Sequence, residues 1–434
     1  MTYLLIQLII WAVSVLILTA LVAVVARRIF MGRKYAILDR EKERHSGLLI
    51  ALSSGAKIES EKALTARPGS PSWSAVEEFL FKGLDTPGRE EAIRLFDELG
   101  YTRHYLERIR KGNRWDQALA AEKLGRIRCQ RAVPHLIEAL SSANKDLKLM
   151  AINSLGSIGD EAAIPHLISI LKRSLKDEEE VSTRVLKSAL ISFGPAVLRD
   201  LLSELDNDDW RVRATVLEIL CEINDMAALS EFTRKLRDDE QEVRAKAAKG
   251  LGRLGSPDAI PALLHSLDDQ DWVVRLHSAR ALGLIGDEKA LRALKETLCD
   301  RNWQVRAAAS EAMAGIGASG CLELLRVYIE ESDQYAREQA LDELLRADIY
   351  SRVAGLLERE DILKDHGKTA DMGKGADPVV QIAGMLSTLG PDKLREALSS
   401  ISGKGAGDED AILKVCKSLK ENQSRFSGAG SQGN

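Results

Sequence analysis

The N-terminal end of the chain is uniformly apolar. Residues Tyr3 to Ala26 form a run of 24 without a charged side chain. A helix rises about 1.5 Å per residue, so this run extends about 36 Å and exceeds the roughly 30 Å hydrocarbon core of a bilayer. The pattern predicts that residues 1–26 form a single transmembrane helix.

A cleaved signal peptide is the alternative for this segment. A signal peptide carries its basic residues before the apolar core, whereas here Arg27, Arg28, Arg33 and Lys34 follow it. The order therefore favours an uncleaved anchor. Because basic residues beside a span stay on the cytoplasmic side, we expect the N-terminus outside the inner (plasma) membrane and residues 27–434 in the cytoplasm.

Residues 27–72 are polar and separate the predicted span from the next periodic region. Between Arg27 and Arg44 there are seven basic and three acidic residues. This balance fits a stop-transfer flank alone, or one that also contacts anionic lipid head groups. Residues 53–72 are small and polar and contain two prolines, a composition that predicts a flexible tether.

From about residue 114 the apolar pattern repeats every 31 residues, a period typical of helical solenoids. One phrase reads AVPHLIEAL at 132–140, AIPHLISIL at 163–171 and AIPALLHSL at 259–267. A second places Val-Arg before an alanine-rich stretch, as in QEVRAKAAKGLGRLG at 241–255. Its arginines are each 31 residues apart: Arg213, Arg244, Arg275, Arg306 and Arg337.

Each repeat is predicted to form two helices joined by a short, aspartate-bearing turn. Proline suits the start of the first helix, because its missing N–H costs little there. Gly255, Gly286 and Gly317 stand where a left-handed residue would end the second helix. One helix pair cannot bury its apolar stripe alone, so stacked pairs must make the core. The stack is predicted to cover residues 73–360.

This motif set resembles HEAT repeats, most closely the short bacterial type also found in phycobilisome lyases, over about residues 85–402. With the apolar N-terminus, the resemblance implies an all-α fold: a right-handed α-solenoid of HEAT-like helix pairs preceded by a single transmembrane helix. It also implies that second helices line the concave face and that the Val-Arg arginines form an inter-repeat ladder with turn aspartates. The candidate partners are Asp208, Asp239, Asp269, Asp271 and Asp300.

The repeat is irregular at one internal position and at the C-terminal end. Residues 172–184 hold about four extra residues and place Thr183 near the expected arginine position, so we expect a local adaptation there. Beyond the main stack we predict a polar loop at 361–376, a terminal helix pair at 377–402, and an amphipathic helix with a disordered tail at 403–434.

Composition and charge narrow the class of protein. Hydrophobic residues make up 45% and aromatic residues only 5%, which is typical of packed helices. With 61 basic and 65 acidic residues the net charge is −4, which argues against nucleic-acid binding through bulk charge. The five cysteines are odd in number and widely spaced, so no disulfide framework is expected.

Local charge is uneven on the predicted second helices. The apolar pattern leaves a group of basic positions facing outward: Lys246, Lys249, Arg253, His277 and Arg280. Helical spacing and helix stacking predict one contiguous basic patch, suited to an acidic peptide, a phosphorylated segment or a lipid head group. A solvated charged face without a dedicated partner is the alternative. Acidic residues flank the patch, namely Glu218, Glu222, Glu311 and Asp342.

Two other periodic features have simpler interpretations. Trp210, Trp272 and Trp303 share one repeat position, and we expect them to pack over inter-repeat turns rather than stack on nucleobases. His135 and His166 also share a position but are too far apart on adjacent helices for one metal ion. We predict no catalytic residues, no metal and no cofactor.

These features favour a membrane-anchored scaffold that binds a protein partner on the concave face of the solenoid, within a bacterial inner-membrane assembly. Membrane lipid is the expected second partner, through the anchor, and nucleic acid is not expected. The alternative is a phycobilin-lyase-like enzyme acting on a client protein. DNA binding, as in alkylpurine glycosylases of similar architecture, fits poorly with a tethered and mildly acidic chain.

Overall fold

Every regular element in the computed structural model is helical over the residues it describes, which are 2–55, 57 and 67–346. This confirms the all-α prediction for that part of the chain. The predicted loop at 361–376, the terminal pair at 377–402 and the segment 403–434 lie outside the described residues, as does the end of the predicted stack after residue 346.

The chain divides into two compact units, one ending at Phe193 and one beginning at Gly194. The helices of the first unit are α1 (Thr2–Arg44), α2 (Ser46–Ser53), α3 (Pro71–Gly83), α4 (Arg89–Glu98), α5 (Tyr101–Lys111), α6 (Arg114–Arg126), α7 (Val133–Ala139), α8 (Lys145–Ile158), α9 (Ile164–Leu175) and α10 (Thr183–Ile191). Those of the second unit are α11 (Leu198–Ser203), α12 (Trp210–Ile223), α13 (Leu229–Lys235), α14 (Gln241–Leu254), α15 (Ile260–Ser266), α16 (Trp272–Ile285), α17 (Leu291–Thr297), α18 (Trp303–Gly315), α19 (Ala318–Glu330) and α20 (Gln334–Arg346).

Helix α1 contains the apolar N-terminal segment but does not end with it. The helix has 43 residues, a length of about 64 Å, or about twice the thickness of a hydrocarbon core. Among the described helices, this one is long and apolar enough to cross a membrane, over Val15–Arg44, and its apolar window is not buried. The basic segment that follows Ala26 therefore continues the same helix.

The end of α1 and the whole of α2 pack against α3 and α4. Lys42 Nζ lies 2.7 Å from Glu78 Oε2, and the His45 ring is 3.0 Å from Ser72 Oγ. Leu48 and Leu52 of α2 are buried. Here the structure differs from the predicted 27–72 linker, because the chain already contributes core side chains before the expected tether begins.

Close backbone packing explains why α2 docks where it does. A Cβ placed on Gly88 would lie 2.3 Å from the carbonyl oxygen of Leu52, and one on Gly83 would lie 2.8 Å from Leu52 Cδ1. Thr86 Oγ1 donates a hydrogen bond to the same Leu52 carbonyl at 3.1 Å. Leu52 thus covers the N-terminal end of the hydrophobic core of the first unit.

The second unit consists of helix pairs with strongly repeated local signals. A 3-10 turn precedes first helices α13, α15 and α17, and the residue before each turn caps it: Asp225, Ser256 and Asp287 each accept a backbone N–H two residues on. Pro261 stands in the first turn of α15, as predicted. These signals recur because each pair must start and stop at the same register to stack on the next.

Second helices end as the sequence predicted at two of three glycines. Gly255 and Gly286 are C-cap residues in the left-handed conformation, with φ of +68° and +76°. Gly317 is an exception, because α18 ends at Gly315 with Ile316 as its C-cap, and Gly317 instead precedes α19 with φ +95° and ψ −139°. The prediction for Gly317 was wrong because the following helix starts without the usual 3-10 turn.

Neighbouring second helices approach until their backbones touch. A Cβ on Gly252 would lie 2.6 Å from Ala281 Cα, and one on Gly283 would lie 2.6 Å from Ala312 Cα. Contacts this short admit only glycine on one helix opposite alanine on the next. The small-residue positions of the repeat therefore set the separation of the helices that carry the candidate site.

The irregular segment at residues 172–184 is accommodated by shifting helix ends. Helix α9 has 12 residues where α7 has 7, and α10 begins only at Thr183 and has 9 residues where α8 has 14. The second helix, whose first turn carries Val-Arg in other repeats, thus starts late, after a longer loop. Glu179 in this loop binds Lys148 at 2.5 Å and Arg173 at 2.7 Å, which ties it to the preceding helices.

We predict that Leu52→Ala lowers the free energy of unfolding of the intact chain by about 2–5 kcal/mol, the usual cost of a buried leucine truncated to alanine. Ile50→Ala, on the exposed side of α2 where 69% of Ile50 is accessible, is the matched control and should stay close to wild type. Urea unfolding in detergent micelles, followed by circular dichroism, measures both. Equal effects of the two variants would contradict the docking of α2.

Candidate functional site

The Val-Arg arginines of the second unit bind aspartates of the next repeat. Arg213 Nε lies 2.9 Å from Asp238 Oδ2, and in each case a second guanidinium nitrogen binds the other carboxylate oxygen. The same contact recurs 31 residues on, and we call these three pairs the Arg–Asp ladder: Arg213–Asp238, Arg244–Asp269 and Arg275–Asp300. All six side chains are largely buried.

Each ladder arginine also holds the turn before its own helix. Nη1 of Arg244 donates to the backbone carbonyls of Asp238 and Asp239, at 2.9 Å and 3.0 Å. One guanidinium therefore joins its own turn to the next turn by charge-assisted, bidentate hydrogen bonds.

Some predicted ladder partners are corrected by these contacts. The acid facing Arg213 is Asp238, not the neighbouring Asp239. Asp208 and Asp239 contribute backbone carbonyls only, and Asp271 caps α16 by accepting the N–H of Val273. Adjacent aspartates in one turn look alike in sequence, and only the stacking of the repeats selects the one that faces the arginine.

The last two predicted ladder arginines bind no aspartate side chain within the described part of the chain. Arg306 donates to the Asp300 carbonyl at 2.9 Å, its buried Nε has no hydrogen-bond partner there, and its guanidinium lies 5.1 Å from the Tyr335 ring centroid. Arg337 donates to the Tyr328 carbonyl at 3.0 Å. The ladder stops at Asp300, because the residue at the next equivalent position, Glu331, instead accepts the N–H of Ser332.

Two ladder carboxylates, Asp238 and Asp300, are held in the charged form. Burial alone would raise the pKa of Asp300, but the hydrogen bonds from Arg275 and from the Asn302 backbone N–H bring it below its usual value. Asp238 has a lowered pKa through the same balance of burial and bonding to Arg213. A carboxylate whose pKa is lower in the folded state stabilises the fold above its ordinary pKa of about 4, and this contribution is lost as pH falls through the folded value.

We therefore expect Asp300→Asn to cost about 3–5 kcal/mol of unfolding free energy at pH 7, because it leaves a buried guanidinium without its counter-charge. The difference from wild type should shrink as pH drops below about 4. Exposed Asp268 supplies the control, since Asp268→Asn removes the same charge from the equivalent turn of the preceding repeat. Urea midpoints at pH 7 and pH 3.5 test this, and a difference independent of pH would argue against the ladder's charge.

The predicted basic residues lie on two adjacent second helices. Lys246, Lys249 and Arg253 follow one another at helical spacing along α14, and His277 and Arg280 do so along α16. Lys246 and His277 are equivalent in the repeat, as are Lys249 and Arg280. The Gly252–Ala281 backbone contact brings these helices together. The structure therefore juxtaposes the five residues, which we call the basic patch.

Two residues of the basic patch form ion pairs with glutamates, and two others have no such partner in the described chain. Arg253 binds Glu222 of the preceding repeat at 2.7 Å, and Lys246 lies 3.5 Å from Glu242 one turn earlier. Lys249 and Arg280 are exposed, and no described carboxylate lies within ion-pair distance of either. The Glu222–Arg253 pair was missed in the sequence, although its 31-residue spacing is the signal that would have found it.

The pKa of His277 is affected by the charges of the basic patch. It is half-buried, and burial together with nearby Arg280, Lys249 and Lys246 lowers its pKa, against a smaller opposing effect of Glu242. The imidazole is therefore neutral near pH 7. Cationic side chains from both helices thus act on one point, as expected for a contiguous positive surface.

Tryptophans along the turns are more exposed than predicted. The accessible fractions are 40% for Trp210, 37% for Trp272 and 65% for Trp303, so Trp303 in particular does not pack over a turn. Trp210 lines an open groove of about 670 Å³ beside the ladder residues Arg213 and Asp238. The expectation of packing therefore fails at Trp303, whereas more than half of the surface of Trp210 and Trp272 is covered.

The remaining candidates are not brought together. His135 is half-buried on α7 and His166 is exposed on α9. Among the residues searched, 2–55, 57 and 67–346, no group of three or more His, Cys, Asp or Glu side chains is placed to hold a metal ion.

Stacked helix pairs with a buried Arg–Asp ladder define a helical-repeat protein. The family model of HEAT repeats matches residues 102–187, 198–277 and 260–345, which together exceed half of the chain. The chain belongs to the HEAT-repeat family.

Similar solved structures include other proteins of helical architecture. The complex of CpcE and CpcF of phycocyanin lyase from Nostoc sp. PCC7120 is 23% identical, with a TM-score of 0.26, and the match covers 42% of this chain and 99% of that one. Importin beta is 15% identical, with a TM-score of 0.40, and covers 88% of this chain and 58% of its own. An engineered protein is 17% identical, with a TM-score of 0.32, over 83% of this chain and 97% of its own. No curated protein matches the chain.

Proposed function

We propose that this protein is a membrane-anchored scaffold that holds an acidic segment of a partner protein on the basic patch. The observation that carries the proposal is the pair of exposed cations, Lys249 and Arg280, at equivalent positions of adjacent second helices and without a carboxylate partner in the described chain. Helical-repeat stacks supply extended surfaces of this kind for binding.

Neighbouring arginines of the same unit are ion-paired, whereas Lys249 and Arg280 are not within the described chain, and this difference supports a binding role for these two cations. In the same unit, Arg253 is neutralised by Glu222 across the repeat boundary, and the ladder arginines are neutralised by aspartates. Most basic side chains there thus have an internal counter-ion. Positive charge left uncompensated on an exposed face attracts an anionic partner and accelerates its association.

The membrane part of the proposal rests on α1. An apolar run long enough to span a bilayer is followed by Arg27, Arg28 and Arg33 on the same helix, which favours a cytoplasmic location for the rest of the chain in an inner (plasma) membrane. The contacts of Lys42 and Leu52 with the first unit would hold that unit close to the span. A partner bound by the scaffold would thereby be kept near the membrane.

Orientation is testable with C-terminal fusions to the full-length chain. We expect a fused green fluorescent protein to be fluorescent and a fused alkaline phosphatase to be inactive, as for a cytoplasmic C-terminus. The mass of the purified chain should show an intact N-terminus. An active phosphatase fusion, or loss of the first 26 residues, would contradict the anchored, cytoplasmic topology.

Partner binding is testable by affinity capture from native membranes in a mild detergent. We expect wild type to retain a stoichiometric partner and the double variant Lys249→Glu/Arg280→Glu to lose it, because the reversal replaces attraction to an acidic segment by repulsion. Arg292→Glu is the matched control, since this arginine lies on first helix α17 and its side chain is 91% exposed.

Two results would overturn the scaffold proposal. Capture unaffected by the double variant would move the binding site away from the basic patch. Absence of any partner, together with uptake of a bilin that changes its absorbance, would instead favour the phycobilin-lyase-like enzyme. Thermal melting of each variant shows whether a loss of capture reflects binding rather than unfolding.

A further inference from the structure

An exposed leucine stands beside the free cations of the basic patch. Leu284 lies one helical turn after Arg280 on α16 and is 70% accessible. Its Cδ1 reaches over α14, 3.3 Å from where a Cβ of Gly252 would be. Leu284 therefore sits in the cleft between the same two helices that carry Lys249 and Arg280.

The repeat makes this leucine unusual for its position. The equivalent residues of the preceding repeats are Glu222 and Arg253, which pair with each other, and that of the following repeat is Gly315. A polar side chain would continue the ion-pair row and remain hydrated. A large apolar side chain at the end of a charged row gains stability only when something covers it.

We propose that the basic patch binds an extended acidic segment with two parts: two carboxylates for Lys249 and Arg280, and a large apolar side chain that covers Leu284. This inference rests on the proposed function and adds the chemical character of the partner segment. The occupant is a protein segment because one small anion does not supply the apolar part.

Spacing supports an extended segment that crosses the helices. Packed helix axes lie about 8–10 Å apart, so Lys249 and Arg280 are separated by about that distance. In an extended chain alternate side chains face the same side and lie about 6.6 Å apart, so carboxylates two residues apart reach Lys249 and Arg280 together, since both basic side chains are long. The apolar residue then lies two residues after the second carboxylate, because Leu284 is one turn of about 5.4 Å from Arg280.

Neighbouring charges set the register of such a segment. Glu222 on one side and exposed Glu311 on the other would repel carboxylates displaced from the free cations. Lys246 lies between these boundaries and adds to the positive field around neutral His277. Burial and the nearby cations hold the pKa of His277 down, so a carboxylate bound beside the ring should raise it.

The probe for this inference is a fluorescein-labelled peptide, Ser-Gly-Glu-Gly-Glu-Gly-Leu-Gly-Ser, with variants carrying Ala for Leu, Gln for both Glu, or phosphoserine for one Glu and Ala for Leu. Binding to the full chain in detergent micelles is measured by fluorescence anisotropy at low salt. We expect Lys249→Gln and Arg280→Gln each to weaken binding about fivefold, the upper range for exposed ion pairs, and Arg292→Gln to leave it unchanged.

The apolar part is tested by a double-mutant cycle. Leu284→Ala should weaken binding of the leucine peptide about fivefold and leave the alanine peptide unaffected, since the two leucines act only together. Titration of the His277 ring proton resonance, assigned by His277→Gln, should move to higher pH when the acidic peptide binds. The peptide with Gln in place of both Glu should show neither the weakening by Leu284→Ala nor the shift of the His277 titration.

The outcomes separate this inference from the proposed function. Binding that depends on the cations but not on Leu284, or tighter binding of the phosphoserine peptide without leucine, would overturn the two-part segment and identify a simpler anion. Failure of every peptide while the native partner still requires Lys249 and Arg280 would also overturn it, with the scaffold proposal intact. If the native partner binds equally well without Lys249 and Arg280, both the two-part segment and the scaffold proposal are overturned.

Discussion

A buried arginine that reaches from one repeat to the next organises the second unit of this protein. Each ladder arginine binds two backbone carbonyls of its own turn and the carboxylate of the following turn. Removing either partner would leave an uncompensated buried charge, which is costly. Because the same contact recurs every 31 residues, successive helix pairs stack in one register.

That register decides which surface residues become neighbours. Residues separated by 31 in sequence face each other across the helix boundary, as Glu222 and Arg253 do. Lys249 meets Arg280 for the same reason, and the Gly252–Ala281 contact keeps their helices close. The basic patch is thus a consequence of repeat packing: internal ion pairs compensate some of its members and leave two cations and one leucine available.

The N-terminal end of the first unit is covered by helices that precede the repeats. A solenoid end exposes apolar surface unless something covers it, and here α2 and the last turns of α1 do so through Leu48 and Leu52. The helix with the apolar, span-length segment therefore also contributes to the core of the repeat unit. Such packing limits the motion of the repeat helices relative to α1 more than a flexible tether would.

The sequence predicted the local features of the repeats because the same residue types recur at equivalent positions. The prolines that open first helices, the glycine caps at 255 and 286, and the all-helical class follow from short side-chain patterns, and the 31-residue period shows where these patterns recur. Helical spacing also places Lys246, Lys249 and Arg253 on one face of α14, and His277 and Arg280 on one face of α16. These features depend on backbone geometry that each short segment imposes by itself.

Tertiary structure decided the pairings. It selected Asp238 over Asp239 for Arg213, joined Glu222 to Arg253, left Arg306 and Arg337 without aspartates in the described chain, and docked α2 on the first unit. Each of these depends on the angle and distance at which one helix pair meets the next. A sequence lists the charges available to a surface, but only packing brings two of them within hydrogen-bond distance and leaves others free.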